Sequence, residues 1–177
     1  LIGLWGDSER FKKGYLEQFP GYYFSGDGVI RNEDGYMFIT GRVDDVINVA
    51  GHRMSTAEME EVVSAHPSVA ECAVVGMEDT LKGQVPLALI VLKQGVAAPE
   101  LVPDEVVQSV RSQIGAVACL KEVLVVQRLP KTRSGKILRK LIRTMVDGKT
   151  FQVPGTIDDP AIIEELQECL AQLKSKL

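Results

Sequence analysis

The segment LPKTRSGKILRKLIR, Leu129–Arg143, concentrates positive charge in a chain that is acidic overall. Together with Arg128 it holds seven Lys and Arg residues and no acidic residue, whereas the whole chain has a formal net charge of -4. If Lys131, Arg133 and Lys136 share one loop they repel each other, and a helix N-terminus also disfavours cations. The arrangement therefore favours an anionic ligand. The plain alternative is a solvated basic face without a ligand.

The Ser-Gly-Lys triplet in this segment is similar to the end of a P-loop, but the neighbouring positions exclude that motif. A P-loop needs Gly five residues before its Gly-Lys pair and Ser or Thr directly after the Lys. Pro130 and Ile137 occupy these two positions. The segment is instead interpreted as a loop, bent at Gly135, that presents Lys136 at the start of a helix.

Composition limits the class of protein. A chain of 177 residues with 45% hydrophobic residues fits one globular domain or two small ones. Cys72, Cys119 and Cys169 are far apart and odd in number, which predicts buried free thiols in a reducing compartment. No apolar run reaches the length of a membrane span, and the mildly acidic pI of about 5.3 argues against a surface built throughout for nucleic acid or anionic lipid. The chain begins without Met or a signal peptide, and we interpret it as part of a longer polypeptide.

Hydrophobic periodicity predicts an α+β fold: a small mixed sheet flanked by helices, preceded by a β-hairpin. Two apolar runs, VAECAVVGM and VPLALIVLK, are typical of strands covered by helices on both faces. The predicted strands are 21–31 and 35–43 in the hairpin, then 44–50, 69–77, 85–93 and 122–127. The predicted helices are 55–65, one from Pro103, Ile137–Val146 and Asp159–Leu173.

Three motifs carry a family resemblance. YYFSGDG, GRVDDVINVAGHRMSTAEMEE and LPKTRSGKILR occur in this order, and together they resemble the acyl-CoA synthetase branch of the adenylate-forming enzymes, in particular its acetyl- and propionyl-CoA synthetase subgroup. The resemblance covers essentially the whole chain. It implies that residues 1–43, with the hairpin, end a large N-terminal domain whose remainder is missing here, and that residues 44–177 are the small mobile C-terminal domain.

The resemblance implies a reaction in two steps. A short-chain carboxylate and ATP give an acyl-adenylate and pyrophosphate, and CoA then displaces AMP to give the thioester, while the small domain rotates between the steps. ATP, AMP, CoA and Mg²⁺ are the implied cofactors. The segments VINVAGHRMSTAEMEEV and TIDDPAIIEEL favour propionate over acetate by resemblance. The chain alone is expected to be inactive, and its compartment is the cytoplasm or the mitochondrial matrix.

The resemblance also implies roles for residues around the first two motifs. Asp27 matches a carboxylate that accepts hydrogen bonds from the ribose hydroxyls, a task that suits its two acceptor oxygens. Arg42 matches a ribose or adenylate contact, and Asp44 matches the hinge. The plain alternatives are a turn residue for Asp27 and a strand-start residue for Asp44.

A second group of residues matches the CoA site. Ala50 would offer its backbone to CoA, and Gly51, having no side chain, would leave room for the pantetheine channel. Arg53 would bind phosphate of the nucleotide. Arg111 matches a contact to the nucleotide end of CoA. From its spacing alone, an ordinary surface Arg without a ligand is nearly as good an interpretation.

Lys136 matches the catalytic lysine. An ammonium placed beside the α-phosphate and the attacking carboxylate stabilises the adenylation transition state more than the ground state. Such an exposed lysine is also a target for acetylation, which removes its charge. A lysine acetyltransferase and a deacetylase are therefore implied partners.

His66, with carbonyls near Ser64 and Val69, matches a site for a monovalent cation or Mg²⁺ in this subgroup. The alternative for a His that ends a helix before Pro is a C-terminal cap.

Two other functions compete with the enzyme. The first is a non-catalytic module that binds nucleotide or CoA, or that serves as an acylation target. The second is a nucleic-acid binder, which ranks last because no aromatic residue lies among the cations between Arg128 and Arg143.

Overall fold

A computed structural model describes residues 3–174 of the chain. The chain divides into two compact units, Leu1–Asp44 and Asp45–Leu177. This division falls one residue after the predicted boundary between residues 43 and 44. The assignment of the two parts to a large and a small enzyme domain stays a prediction.

The first unit contains one helix and the predicted hairpin. Helix α1 begins after Asp7, whose Oδ1 accepts a hydrogen bond from the backbone N–H of Arg10 at 3.0 Å. Only Phe11 of this helix is buried, so its sequence shows little of the apolar periodicity by which a helix is predicted. The elements of the unit are α1 Ser8–Tyr15, β1 Asp27–Arg31 and β2 Met37–Arg42, and the two strands are antiparallel.

The second unit contains a mixed five-stranded sheet. Its strands are β3 Val46–Val49, β4 His52–Ser55, β5 Val69–Asp79, β6 Gly83–Leu92 and β7 Glu122–Val125. β5 and β6 form a long antiparallel hairpin, and the other edge of β6 pairs with β3 at Gly83 and with β7, in parallel, from Leu87 to Ile90. β4 lies outside β3.

Helices cover both faces of this sheet. They are α2 Thr56–Ser64, α3 Val102–Gln113, α4 Arg139–Val146 and α5 Ile162–Lys174. Alternate residues of β5 face opposite sides, so that Val74 packs in one buried cluster with residues of α2 and α3, and Val75 packs in the other with residues of α4 and α5. The predicted α+β class and the apolar covered strands are confirmed.

Several local predictions differ from the structure: α1 was not predicted, and β1 begins at Asp27 rather than at residue 21. β4 was not predicted, because the sequence HRMS contains only one buried apolar residue, Met54. The last two helices begin later than the predicted Ile137 and Asp159. Ile137 is instead paired with Lys131 in an antiparallel bridge, which delays the start of α4.

Two further expectations concern the described residues. Cys72, Cys119 and Cys169 are all free thiols, as predicted, but only Cys72 is buried, whereas Cys119 and Cys169 are partly exposed. Over residues 3–174, none of the helices has both the length and the apolar character that crossing a membrane requires.

Candidate functional site

The basic segment forms a closed hairpin before α4. Lys131 and Ile137 pair across it, and the N–H of Thr132 donates to the carbonyl of Lys136 at 2.8 Å. At the tip, the N–H of Gly135 donates to the carbonyl of Thr132 at 2.8 Å. Gly135 has φ +81°, a conformation that favours glycine, so the predicted bend lies at this residue. We call residues 131–137 the lysine hairpin.

The lysine hairpin is also attached along one side to the segment before α5. The N–H of Arg133 donates to the carbonyl of Thr156 at 3.1 Å, and the N–H of Asp158 donates to the carbonyl of Lys131 at 2.9 Å. Thr132 pairs with Ile157, which is buried. These backbone bonds make the lysine hairpin part of the folded domain.

Carboxylates of the same unit neutralise the cations Arg128, Lys131 and Arg139. Arg128 binds both Asp159 and Glu165, each at 2.6 Å. The hydrogen bonds to Glu165, followed by those to Asp159, raise the pKa of Arg128 above its ordinary value. Arg128 therefore joins the start of the segment to the region of α5.

The other two paired cations lie on either side of the lysine hairpin. Nζ of Lys131 lies 2.6 Å from Oε1 of Glu71, and Arg139 binds Glu60, with Nη2 2.7 Å from Oε2. The hydrogen bond to Glu60 raises the pKa of Arg139. Arg128, Lys131 and Arg139 are therefore paired within the chain, whereas the role of the basic segment in attracting an anionic ligand stays a prediction.

Lys136 differs from these three cations. Its backbone is fixed by the N–H donating to Oγ1 of Thr132 at 3.1 Å, in addition to the bond from the N–H of Thr132. Its side chain is exposed, and among residues 3–174 its ammonium has no hydrogen-bond or ion-pair partner. A fixed backbone with an unpaired ammonium can present a positive charge to a ligand without first breaking an ion pair.

A second group of predicted site residues lies in the turn between β3 and β4. Val49 pairs with His52, which leaves Ala50 and Gly51 as a two-residue turn. Both have positive φ, +48° for Ala50 and +88° for Gly51, as a type I′ turn requires. A side chain added at Gly51 would meet no atom of this chain within 4 Å. The turn is therefore exposed, with open space beside Gly51.

Lys82 connects this turn to the neighbourhood of Arg111. Its carbonyl accepts from the N–H of Ala50 at 2.9 Å, and its Nζ donates to Sγ of Cys119 at 3.5 Å. Cys119 and Arg111 line one open cleft of about 210 Å³, together with Lys121. Three of the residues matched to CoA thus lie in one region. Arg53, two residues after Gly51, is exposed on β4.

The lysine hairpin and the β3–β4 turn lie at opposite ends of the β5–β6 hairpin. Glu71, which binds Lys131, is near the start of β5, whereas Lys82 follows its end at Asp79. Asp79 is eight residues after Glu71, a rise of about 26 Å along the strand at about 3.3 Å per residue. The two groups of predicted site residues are therefore attached near different ends of β5.

In the first unit, Arg42 binds two carboxylates. Its Nη1 lies 3.5 Å from Oδ1 of Asp27, and its Nε donates to Oδ1 of Asp44 at 3.2 Å. Nη1 also donates to the carbonyl of Ser25 at 3.1 Å. Gly26 has φ +80°, and a Cβ there would lie 2.8 Å from Nη2 of Arg42. The structure thus brings Asp27, Arg42 and Asp44 together.

The ring of His66 has a structural role. Its Nδ1 accepts from the N–H of Ser68 at 3.3 Å, and its Nε2 lies 3.2 Å from Oε2 of Glu105. Oγ of Ser64 donates to the carbonyl of Glu61, and the N–H of Val69 donates to the carbonyl of His66 at 3.0 Å. Both ring nitrogens are therefore engaged within the chain, and the cation site at Ser64, His66 and Val69, which would use backbone carbonyls, stays a prediction. Among residues 3–174, no group of three or more His, Cys, Asp or Glu side chains is placed to hold a metal ion.

Sequence reasoning missed Glu60, Glu71 and Lys82, which hold the two predicted groups in place. Their partners are distant in sequence: 79 residues separate Glu60 from Arg139, and 60 separate Lys131 from Glu71. The sequence offered one sign that Glu60 has a partner: it is an acidic residue directly beside the apolar face of α2, where an unpaired charge is unfavourable.

Comparisons with known proteins agree with the motif resemblance. Residues 58–136 match the AMP-binding enzyme C-terminal domain. The chain is 52% identical over 171 residues to a mouse mitochondrial acyl-CoA synthetase short-chain family member 3, covering 96% of this chain and 25% of that protein. It is 44% identical over 177 residues to an acetyl-coenzyme A synthetase of Pyrobaculum arsenaticum, covering 100% of this chain and 26% of that protein.

A solved structure supports the fold. The acetoacetyl-CoA synthetase from Streptomyces lividans aligns with a TM-score of 0.82 at 24% identity, over 97% of this chain and 26% of that one. The chain spans about a quarter of the length of the curated relatives it matches. These findings confirm the resemblance predicted from the three motifs: residues 58–136 belong to the AMP-binding enzyme C-terminal domain family, within a chain that is similar to short-chain acyl-CoA synthetases over nearly all of its length.

Proposed function

We propose that the chain is the C-terminal part of an AMP-forming acyl-CoA synthetase that activates a short-chain carboxylate, propionate before acetate. The full-length enzyme converts the carboxylate and ATP to an acyl-adenylate and then forms the CoA thioester. The similarity to short-chain acyl-CoA synthetases along 96–100% of the chain supports this proposal. The similarity to a mitochondrial relative is compatible with the matrix, and the cytoplasm is the other proposed compartment.

One observation carries the proposed role of Lys136: its backbone is fixed in a closed hairpin while its ammonium is unpaired among the described residues. In the proposed adenylation step this ammonium contacts the α-phosphate and the attacking carboxylate oxygen. Because negative charge builds up between these groups in the transition state, a prepositioned cation lowers the barrier. The exposure of the same group makes Lys136 the proposed target of an acetyltransferase and a deacetylase.

The β3–β4 turn is the proposed site of the second step. Gly51 leaves space for the pantetheine arm, Ala50 offers its backbone to it, and Arg111 and Arg53 contact phosphates. Because this turn and the lysine hairpin are attached near opposite ends of β5, we infer that the two groups act in turn. A rotation of the domain about Asp44 between the steps would allow this alternation.

The cluster in the first unit fits nucleotide binding. Asp27 offers two acceptor oxygens to the ribose hydroxyls, and Arg42 orients that carboxylate while binding Asp44. Mg²⁺ would accompany ATP as its phosphate counter-ion. A cation held by backbone carbonyls around Ser64, His66 and Val69 stays a proposal, and no step of the reaction is assigned to it.

The proposal predicts that the 177-residue chain by itself makes no acyl-adenylate. The lysine hairpin can position charge, but the chain spans only about a quarter of its curated relatives, so most of a substrate site has to come from elsewhere. ATP–pyrophosphate exchange with purified chain should stay at background when acetate or propionate is added. The full-length enzyme is the positive control, and exchange by the chain alone would contradict this prediction.

The same assay on the full-length enzyme tests the proposed substrate. kcat/KM for propionate should exceed kcat/KM for acetate. If the two values are equal, or if the value for acetate is higher, the proposed preference for propionate is wrong. Tight nucleotide or CoA binding by an inactive full-length protein would favour the non-catalytic module instead.

A further inference from the structure

The carboxylate of Glu60 joins three elements of the second unit. Its Oε1 accepts from Nε of Arg139 and from the backbone N–H of Val74, both at 2.9 Å, and its Oε2 accepts from Nη2 of Arg139 at 2.7 Å. The side chain of Glu60 is 16% exposed and that of Arg139 is 31% exposed. A half-buried, two-pronged ion pair therefore connects α2 to the first residue of α4, and the same carboxylate holds the middle of β5.

Stability alone does not explain this pair. Arg139 begins α4, where the helix dipole disfavours a cation. Burying an ion pair costs desolvation that its attraction does not reliably recover. The same environment is apolar enough that burial, followed by the charge of Glu60, raises the pKa of the neighbouring Cys72 to about 11. What a two-pronged arginine pair does provide is a fixed distance and a fixed orientation.

The position that this pair fixes is the end of the lysine hairpin. Arg139 follows Lys136 by three residues, and between them the N–H of Leu138 donates to the carbonyl of Pro130 at 2.8 Å. On the opposite strand of the lysine hairpin, Lys131 binds Glu71 of β5. Both ends of the hairpin are therefore fixed by ion pairs to α2 and β5, and the direction of the unpaired Lys136 side chain depends on the backbone that these pairs hold.

We propose that Glu60 is a positioning residue for adenylation, which acts on Lys136 through Arg139. The inference rests on the proposed function of Lys136. Glu60 does not contact substrate. It holds the first residue of α4 against α2 and β5, so that the ammonium of Lys136 occupies one place when the acyl-adenylate forms.

The test compares the two half-reactions in the full-length enzyme carrying Glu60→Gln. This change keeps the shape of the side chain but removes the charge and one of the acceptor oxygens. ATP–pyrophosphate exchange should fall on the order of 10- to 100-fold, the scale for a displaced catalytic group. Thioester formation from pre-formed acyl-adenylate and CoA should stay near the wild-type rate. Hydrogen exchange of the backbone amides of residues 132–138 should become faster.

Two further variants separate positioning from general stability. Arg139→Lys keeps the charge but loses the two-pronged contact, and it should show the same selective loss of adenylation. Glu165→Gln weakens the comparable arginine pair of Arg128 and is the matched control. It should leave the ratio of the two half-reactions unchanged even where it lowers the melting temperature.

The outcomes distinguish the inference from the function on which it rests. If Lys136→Ala loses adenylation and Glu60→Gln does not, the positioning role of Glu60 is wrong and the role of Lys136 stands. Equal loss of both half-reactions in Glu60→Gln and Arg139→Lys would make the pair a stability element only. If Lys136→Ala keeps full adenylation, the proposed function of Lys136 fails and the inference about Glu60 fails with it.

Discussion

Lys136→Ala in the full-length enzyme should lower overall activity by roughly 10²-fold or more, the scale for removing one charged group that stabilises a transition state. The ammonium has no partner among the described residues, so its removal breaks no ion pair there. The melting temperature should therefore stay close to that of the wild type. ATP–pyrophosphate exchange should account for the whole loss.

Thioester formation by the same variant distinguishes a catalytic Lys136 from a structural one. The same variant, supplied with pre-formed acyl-adenylate and CoA, should form thioester at near the wild-type rate, because we assign that step to the β3–β4 turn and not to the lysine hairpin. Acetylation of Lys136 should reproduce the variant, and enzymatic deacetylation should restore activity. Loss of both half-reactions together with a lower melting temperature would mean that the basic segment has only a structural role.

The structure selects the controls for this experiment. Lys140 is exposed in the first turn of α4, and Lys140→Ala should leave both half-reactions nearly unchanged. Lys131→Ala is a weaker control, because it breaks the ion pair with Glu71. A partly exposed pair of this kind contributes less than about 1 kcal/mol to stability, but it also fixes one strand of the lysine hairpin.

The sequence predicted those parts of the fold that depend on local pattern. The apolar runs of β5 and β6 are continuous because helices cover both faces of the sheet, so each run is recognisable without knowledge of its neighbours. β4 and α1 lack such a pattern. Each buries a single apolar residue, Met54 in β4 and Phe11 in α1, and depends on surrounding structure for its conformation.

The site shows the same limit. Lys136, Gly51 and Asp27 lie in linear motifs and were identified from them. The sequence could count seven cations but could not say which were neutralised, because each carboxylate partner belongs to another element that only the fold brings near. Glu60, 79 residues from Arg139, is the clearest example.

Gly51→Leu in the full-length enzyme should abolish most thioester formation while adenylation persists. The turn is exposed, and a leucine side chain at this position would project into the space that we assign to the pantetheine arm. Thioester formation from pre-formed acyl-adenylate should fall by about 10²-fold or more, the scale for a misplaced reactant. ATP–pyrophosphate exchange should stay near the wild-type rate, because the lysine hairpin lies at the other end of β5.

The matched control is Gly51→Ala. At φ +88° any side chain with a Cβ carries backbone strain, of order 1–3 kcal/mol, so Gly51→Ala and Gly51→Leu share this cost and differ in the bulk of the side chain. Ala50 adopts φ +48° in the same turn, so alanine with a positive φ occurs at the neighbouring position. Gly51→Ala should therefore keep far more thioester activity than Gly51→Leu at a similar melting temperature. Equal losses in the two variants would mean that backbone strain, and not a blocked channel, explains the effect, and loss of both half-reactions in Gly51→Leu would contradict the assignment of this turn to CoA.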